Sequence, residues 1–451
     1  MKKILLENFR CFDAQEIEFK RGINLLIGDN ASGKTTILKA CKYVLSSFFA
    51  GFSDENTKWI CLNVDDFAIK ENDGIILPEE PIKIHFTCYE DMYESIVYED
   101  SEICYNPANN EEEYILQKNS KKNSRALVTG LVNYRDYCNL LENSYYLNDD
   151  DITYQKYALP LFACFTTEDI HSSRKINSRI FKKYAQKPTF GYYDCLEGNG
   201  LYTYWLGRLL ALKEGNKNTE EIEIVSNAIT KALYEGCSVV SSIDVRPIQG
   251  KVYYIFSDGR EVEAELLSDG YRRIVNIVTD LAFRCAILNR GIFGNNACEK
   301  TCGTVLIDEI DLHLHPSLQV KVLNALHATF PKLQFVATTH APMVMTGIEN
   351  NSENVVYKLK YSSSTGYSLE LIQTYGMDAS SITRNVLDLI PRDNYVNTRL
   401  EQLFNDIDNS RFDDARIKLK ALYDKFGSTL PELSKAETML NLLNSDYEEN
   451  H

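Results

Sequence analysis

Near the start of the chain, Gly28, Asp29, Asn30, Ala31, Ser32, Gly33, Lys34 and Thr35 fit the spacing G-x-x-x-x-G-K-[ST], and Thr36 follows. An apolar run over 23–27 leads into them and a helical pattern over 35–49 leaves them. Glycines let such a loop wrap tightly, so that backbone N–H groups and the start of the next helix point inward at an anion. Lys34 supplies a positive charge to the outer phosphates of a nucleotide, and Thr35 supplies a hydroxyl to Mg2+. Much later, Thr304-Val305-Leu306-Ile307 is an apolar strand that ends in Asp308 and Glu309. Paired acids after a strand are common at surface turns. Beside a phosphate loop they fit a second task, with Asp308 holding Mg2+ through water and Glu309 polarising the attacking water as general base.

A third group, Ser268, Asp269 and Gly270, opens a long helical pattern. It reads either as a plain N-cap, with Asp269 complementing the helix dipole, or as a second anion site at a helix N-terminus. His313 and His315 lie close behind Glu309, and the three taken alone suggest a metal site.

The elements that must position these groups alternate in type. Short strands over 17–19 and 23–27 flank an Arg21-Gly22 turn. Aromatic and β-branched segments over 82–89 and 95–98 predict an antiparallel β-rich lobe at about 80–118. The polar, tyrosine-rich stretch 119–151 predicts loops. A strand over 159–165 is followed by helical spacing over 176–184, 201–213 and 220–234, a helical insertion at about 170–235, and then by a meander over 238–245, 252–256 and 262–266. From Ser268 the order is helix to 289, strand 304–307, helix 317–329 and strand 334–338, the alternation of a parallel α/β sheet, and the core is expected to close there. Residues 377–451 predict a small α-helical domain with segments 381–389, 394–408, 412–425 and 435–444, broken at Pro391, Ser410 and Pro431. Heptads are not sustained, so long coiled-coil arms are not expected.

With 44% hydrophobic and 25% charged residues, the chain has the composition of a folded protein. No window approaches the run of about 20 apolar residues that a membrane span needs, and 1–12 lacks a signal-peptide apolar region. Twelve scattered cysteines fit reduced thiols in a cytoplasm, with Cys298 and Cys302 read as structural. A net charge of −16 opposes a broad DNA-binding face, so nucleic-acid contact must be local. Two basic runs, Lys118, Lys121, Lys122, Arg125 and then Arg174, Lys175, Arg179, Lys182, Lys183, Lys187, are candidates for it or are solvated faces.

The order of the motifs along the chain resembles that of ABC-type ATPases: Gly28–Thr36, then Ser268, Asp269 and Gly270, then Asp308-Glu309, then His340 after the strand 334–338. The resemblance implies a P-loop NTPase of ABC-ATPase head type: a mixed or parallel sheet core with an antiparallel β lobe and an inserted helical subdomain, spanning 1–376. It implies ATP and Mg2+ as cofactors. It also implies that the Ser/Gly signature of one subunit contacts the γ-phosphate held by another, so that copies assemble head to tail as a dimer or a higher homo-oligomer. Asp311, His313 and His315 stand where that superfamily's D-loop crosses the interface, which argues against zinc, and His340 stands at its switch histidine. Arg10 either reaches the nucleotide in the family's manner or is a surface arginine on an edge strand.

More narrowly, LENFRCF (6–12), GDNASGKTT (28–36), the stretch 266–289, TVLIDEIDLHLHP (304–316) and FPKLQFVATTHAPMV (330–344) resemble the SMC-like AAA ATPases of the RecF/OLD type. Above all they resemble the ATPase subunit of Septu antiphage systems and its retron-associated relatives. Residues 57–159 carry no such motif, and the text Phe162-Ala163-Cys164-Phe165-Thr166-Thr167 departs from the family's aromatic pair and arginine and supplies no Q-loop glutamine. The resemblance implies a partner HNH endonuclease. Residues 377–451, too short for the TOPRIM domain of OLD nucleases, read as an oligomerisation or nuclease-docking element or as a merely packed tail, and the leading reading places foreign nucleic acid in a composite groove. Rival readings are a RecF/SMC-like repair ATPase on DNA ends and an ATP-stabilised scaffold with little turnover.

Overall fold

The computed structural model describes residues 1–68, 71–72, 75–76, 80–89, 113–122, 127–129, 145–148, 151–155, 157–167, 187–198, 200–215, 219–364, 366–390 and 392–449. The expected strand over 95–98, the expected helix over 176–184, the break at Pro391, and Arg125, Arg174, Lys175, Arg179, Lys182 and Lys183 of the basic runs lie outside the described residues. Residues 1–379 and 380–451 form two units.

In the first unit, β1 (Lys3–Phe9) and β2 (Phe12–Glu18) make a hairpin, and β3 (Ile23–Gly28) is buried at every position. β1 also pairs with β4 (Ile82–Thr87), whose alternating burial marks a sheet with one covered face. With β5 (Tyr114–Lys118) and β6 (Leu127–Thr129) they form an antiparallel sheet ordered β2-β1-β4-β5-β6. The stretch 119–151 is thus not simply loop. Besides β6 it holds β7 (Tyr145–Asn148), paired with β8 (Asp151–Gln155). Strands of three and four residues are too short to print a period in the sequence.

A second sheet carries the chemistry. β9 (Leu161–Phe165) lies at one edge; a separate meander of β10 (Val240–Arg246), β11 (Lys251–Phe256) and β12 (Glu261–Glu263) intervenes in the chain. β13 (Gly303–Ile307), β14 (Leu333–Thr338), β15 (Val355–Ser362) and β16 (Gly366–Leu371) complete the order β9-β13-β14-β3-β15-β16. All neighbours are parallel except the β15–β16 hairpin. β3, β13 and β14 are wholly buried, as strands covered on both faces must be. The core does not close at 338, as the sequence led us to expect. β15 adds on beside β3, and its lysines Lys358 and Lys360 interrupt the apolar run that would have announced it.

Helix α1 (Lys34–Ser46) buries Ile37, Leu38, Cys41, Val44 and Leu45, and beyond it Phe48, Phe49 and Phe52 cluster with Phe162 and Tyr192. The insertion contributes α2 (Tyr202–Gly215) and α3 (Thr219–Ile229). Both pack on α4 (Asp269–Phe293), whose residues 273–289 are all buried. A polar knot locks this packing. The Trp205 indole stacks on Phe283 at 4.7 Å and donates to Asp280 at 2.6 Å, while Arg284 donates to Asp280 at 2.6 Å and to the Gly191 carbonyl at 2.6 Å. The expected helix over 317–329 is two, α5 (Pro316–Gln319) and α6 (Val322–Thr329), and α7 (Pro342–Thr346) follows β14.

The second unit opens in α8 (Ala379–Asn385) and continues as α9 (Asn394–Asp408), α10 (Phe412–Phe426) and α11 (Pro431–Glu449). Leu400, Leu403, Ile407, Leu419, Leu422, Leu433 and Leu440 form its core. The break expected at Pro431 falls just before it, between α10 and α11, and α11 starts at Pro431 and not at 435, since the fixed φ and missing N–H of proline suit the first turn.

Candidate functional site

Three adjacent strands, β3, β13 and β14, deliver their carboxyl ends to one place, the side of an open α/β sheet where ligands bind. At the end of β3 the backbone of Gly28 stands at φ +144°, and a Cβ there would meet the Leu359 carbonyl oxygen at 2.3 Å. Gly33 stands at φ +99°, where a Cβ would run into the Phe12 ring at 2.5 Å. Only glycine suits either position. The loop then turns into α1, whose start no side chain caps, which leaves its first amides for an anion.

The Lys34 ammonium donates to the carbonyls of Gly28 at 2.8 Å and Asp29 at 2.7 Å, inside the curl of the loop. Burial pushes its pKa down to about 8, against the pull of the carboxylates of Asp29, Asp308, Glu309 and Asp311. The Thr35 hydroxyl lies 3.4 Å from Asp308 Oδ2. A hydroxyl and a carboxylate at that spacing are hard oxygen donors for Mg2+, a cation that keeps most of its waters and needs few protein ligands. The residues therefore fit the metal that the sequence implied.

Asp308 and Glu309 are fixed from β14. The Thr338 hydroxyl donates to Asp308 Oδ1 at 2.6 Å and accepts the Glu309 N–H at 2.8 Å. Glu309 itself takes a left-handed conformation, φ +49°, an uncommon state for a residue with a side chain and one that turns the chain sharply at the strand end. The Arg273 guanidinium donates to the Asp308 carbonyl at 2.6 Å, and the Thr339 hydroxyl donates to Asp311 Oδ1 at 2.5 Å. Asn30, Ala31, Ser32, Gly33, Lys34, Thr35 and Thr36 share a cleft of about 380 Å3 with Asp308, Glu309 and His340, within the size range of small-molecule sites.

Ser268, Asp269 and Gly270 do not line this cleft. Ser268 and Asp269 are exposed, and Ser268 makes no side-chain cap to α4, against the plain N-cap reading. Gly270 backs onto the turn that holds His313: a Cβ there would lie 2.2 Å from the His313 carbonyl oxygen. His313 is exposed at φ +61°, and His315 caps α5 by accepting from the Ser317 N–H. Arg10, read as reaching the nucleotide or as a surface arginine on an edge strand, does not line the cleft. Its guanidinium donates to Asp66 at 3.1 Å, where Lys39 at 2.8 Å and the Tyr43 hydroxyl at 2.6 Å also converge. The Asn63 N–H donates to Asp66 as well, at 3.0 Å; Asp66 is fully buried, and Arg10 is committed as one of the donors that offset its burial.

The sequence had assigned no role to Thr338, Thr339, Cys11 or Tyr367, although Thr338, Cys11 and Tyr367 line the cleft. Hydroxyls at the end of the strand beside the two acids were the available signal for the threonines; nothing marked Tyr367.

The profile of the AAA domain family matches residues 3–236, more than half of the chain. The chain belongs to the AAA domain family. A second AAA profile, described as a putative AbiEii toxin of a type IV toxin–antitoxin system, matches 162–346. This AAA protein is ABC/SMC-like and similar to retron and Septu ATPases. The Retron Vc95 probable ATPase of Vibrio cholerae is 23% identical over 80% of this chain and 74% of the relative. The Septu protein PtuA of Bacillus mycoides is 34% identical over 35% of this chain, but the match spans only 22% of that longer protein. A solved SMC head bound to the C-terminal winged helix domain of ScpA aligns at TM-score 0.47 and 15% identity, covering 82% of this chain and 98% of that one. Among the described residues no helix is long and apolar enough to cross a membrane.

Proposed function

We propose that this AAA protein is an ATP hydrolase of bacterial antiphage defence whose catalytic sites form between two copies joined head to tail, and that nucleotide state gates an associated HNH endonuclease. One observation carries the reading. Lys34, Asp308, Glu309 and His340 share one cleft, whereas the exposed, non-capping Ser268 stands outside it. A single copy thus presents two half-sites. The similarity to retron and Septu ATPases supports the defence setting.

In this reading ATP lies along the P-loop, with the β-phosphate in the amide cradle of 28–35 and Lys34 on the outer phosphates. Mg2+, held by Thr35 and Asp308, would neutralise charge on the β- and γ-oxygens. Glu309 takes a proton from water as the water oxygen attacks the γ-phosphorus and the bond to the β,γ-bridging oxygen breaks, giving ADP and phosphate. Thr338 holds the base and the metal ligand in one frame. His340 faces the γ-phosphate, and Ser268, Asp269 and Gly270 of the second copy close over it, with Asp311, His313 and His315 at the seam. Residues 1–376 act as the ATPase domain and 377–451 as the docking element for copies or nuclease. DNA occupies a groove composed of both copies.

Glu309→Gln keeps the shape of the base and removes its basicity. The expected result is turnover reduced at least 100-fold with ATP affinity kept and a longer-lived ATP-bound assembly. Unchanged turnover, or assembly indifferent to ATP, contradicts the reading. In the same preparations, removal of 380–451 should release a co-expressed nuclease; its retention overturns the docking role.

A further inference from the structure

The hairpin after the expected end of the core brings aromatic rings to the mouth of the cleft. β15 runs parallel to β3 with Leu359 opposite Gly28, so Tyr361 stands two residues beyond the first glycine of the P-loop on the neighbouring strand. Its cross-strand partner in the hairpin is Tyr367, which lines the cleft together with Cys11 and Thr36. The two tyrosine rings pack at 4.8 Å, and Tyr367 meets the edge of Phe12 at 5.1 Å. Phe12 is 2% exposed and closes against Gly33 from behind, so Tyr367 leans on a fixed support. Tyr361, by contrast, is 63% exposed. A cross-strand aromatic pair stabilises a hairpin, but here one member stays open to solvent on the strand beside the phosphate loop.

We propose that Tyr367 and Tyr361 form the platform on which the nucleobase of the bound nucleoside triphosphate stacks. The inference rests on the nucleotide reading of the cleft and adds to it the part of the ligand that the phosphate loop cannot recognise. The polar half of the cleft, from Asn30 to Thr36 with Asp308 and Glu309, takes phosphates, and at the aromatic end Tyr367 and Tyr361, tilted 49° to one another, offer ring faces against which a planar base can stack. Stacking reads a π-face and not a base edge, so the platform contributes affinity more than base selectivity.

The test compares two probes, ATP and inorganic tripolyphosphate, on the full chain with Mg2+, by equilibrium titration. Tyr367→Ala should weaken ATP roughly 10-fold and leave tripolyphosphate affinity unchanged, and Tyr367→Phe should restore ATP binding. Tyr361→Ala, at a position that does not support the P-loop, should weaken ATP to a smaller extent with the same indifference to tripolyphosphate. Equal weakening of both probes by Tyr367→Ala would mean that Tyr367 only props Phe12 and the loop, and overturns the platform. So would wild-type protein that binds the two probes equally well, an outcome that leaves the phosphate loop intact as a reading. Failure of wild-type protein to bind either probe would instead overturn the nucleotide reading on which the platform stands.

Discussion

Lys34 is a base held in a place that disfavours its charge. Its ammonium is buried in the curl of the loop, and burial lowers its pKa to about 8. Nucleotide phosphates need the charged form, so affinity for ATP is fully present below that pKa and falls as pH rises through it. The linked proton gives the measurement: titration calorimetry at about pH 9 should show a binding enthalpy that changes with the ionisation enthalpy of the buffer, as up to about one proton is taken up per ATP, and near pH 7 the dependence should vanish. A buffer-independent enthalpy at about pH 9 would show that the Lys34 pKa in the free protein is not lowered. At this scale the sequence spoke clearly wherever a role is local. Gly28, Gly33 and Lys34 act through the backbone of their own loop, so their spacing is the signal. Thr338 acts across the sheet on Asp308 and Glu309, and only the strand order puts it there. Arg10 shows the converse: the sequence left it between the nucleotide and the surface of an edge strand, and its guanidinium pairs with buried Asp66.

At the scale of elements, α4 links exposed Ser268 and Asp269 to the interior. Its N-terminus carries Ser268, Asp269 and Gly270, Arg273 ties its first turns to the Asp308 carbonyl, and Asp280 and Arg284 fix its middle to Trp205 and Gly191. Arg284 and Asp280 are each 1% exposed, so removing one partner strands a buried charge. Arg284→Met is expected to destabilise the fold by about 3–5 kcal/mol and lower the midpoint of thermal unfolding by several degrees, whereas a change below about 1 kcal/mol would show that the knot is not a structural anchor. α4 was legible from Ser268 onward because a long amphipathic run prints its period many times. β15 and β16 were not legible, since two lysines break the apolar run and no helix separates the strands. That omission also hid Tyr361 and Tyr367, which shows how one missed element removes the chemistry it carries.

Across the whole molecule, the order of motifs along the chain foretold an ABC-type head because each motif ends a strand or opens a helix of one α/β core; the order of the strands in the sheet was not legible. The proposed pairing of two copies rests on Ser268 lying outside the cleft that holds Lys34, Asp308 and Glu309. If the catalytic site pairs Lys34 of one copy with Ser268 of the other, two defects on different copies can be separated. Lys34→Ala disables the phosphate loop, and Ser268→Arg blocks the signature, so each variant alone should be inactive. Mixed in equal amounts, half of the dimers carry one variant of each kind, and in these one of the two sites has both elements intact. ATP turnover in the mixture should therefore recover to about a quarter of the wild-type value per subunit, while a mixture that stays inactive, although both variants are folded and associate, would contradict the shared site.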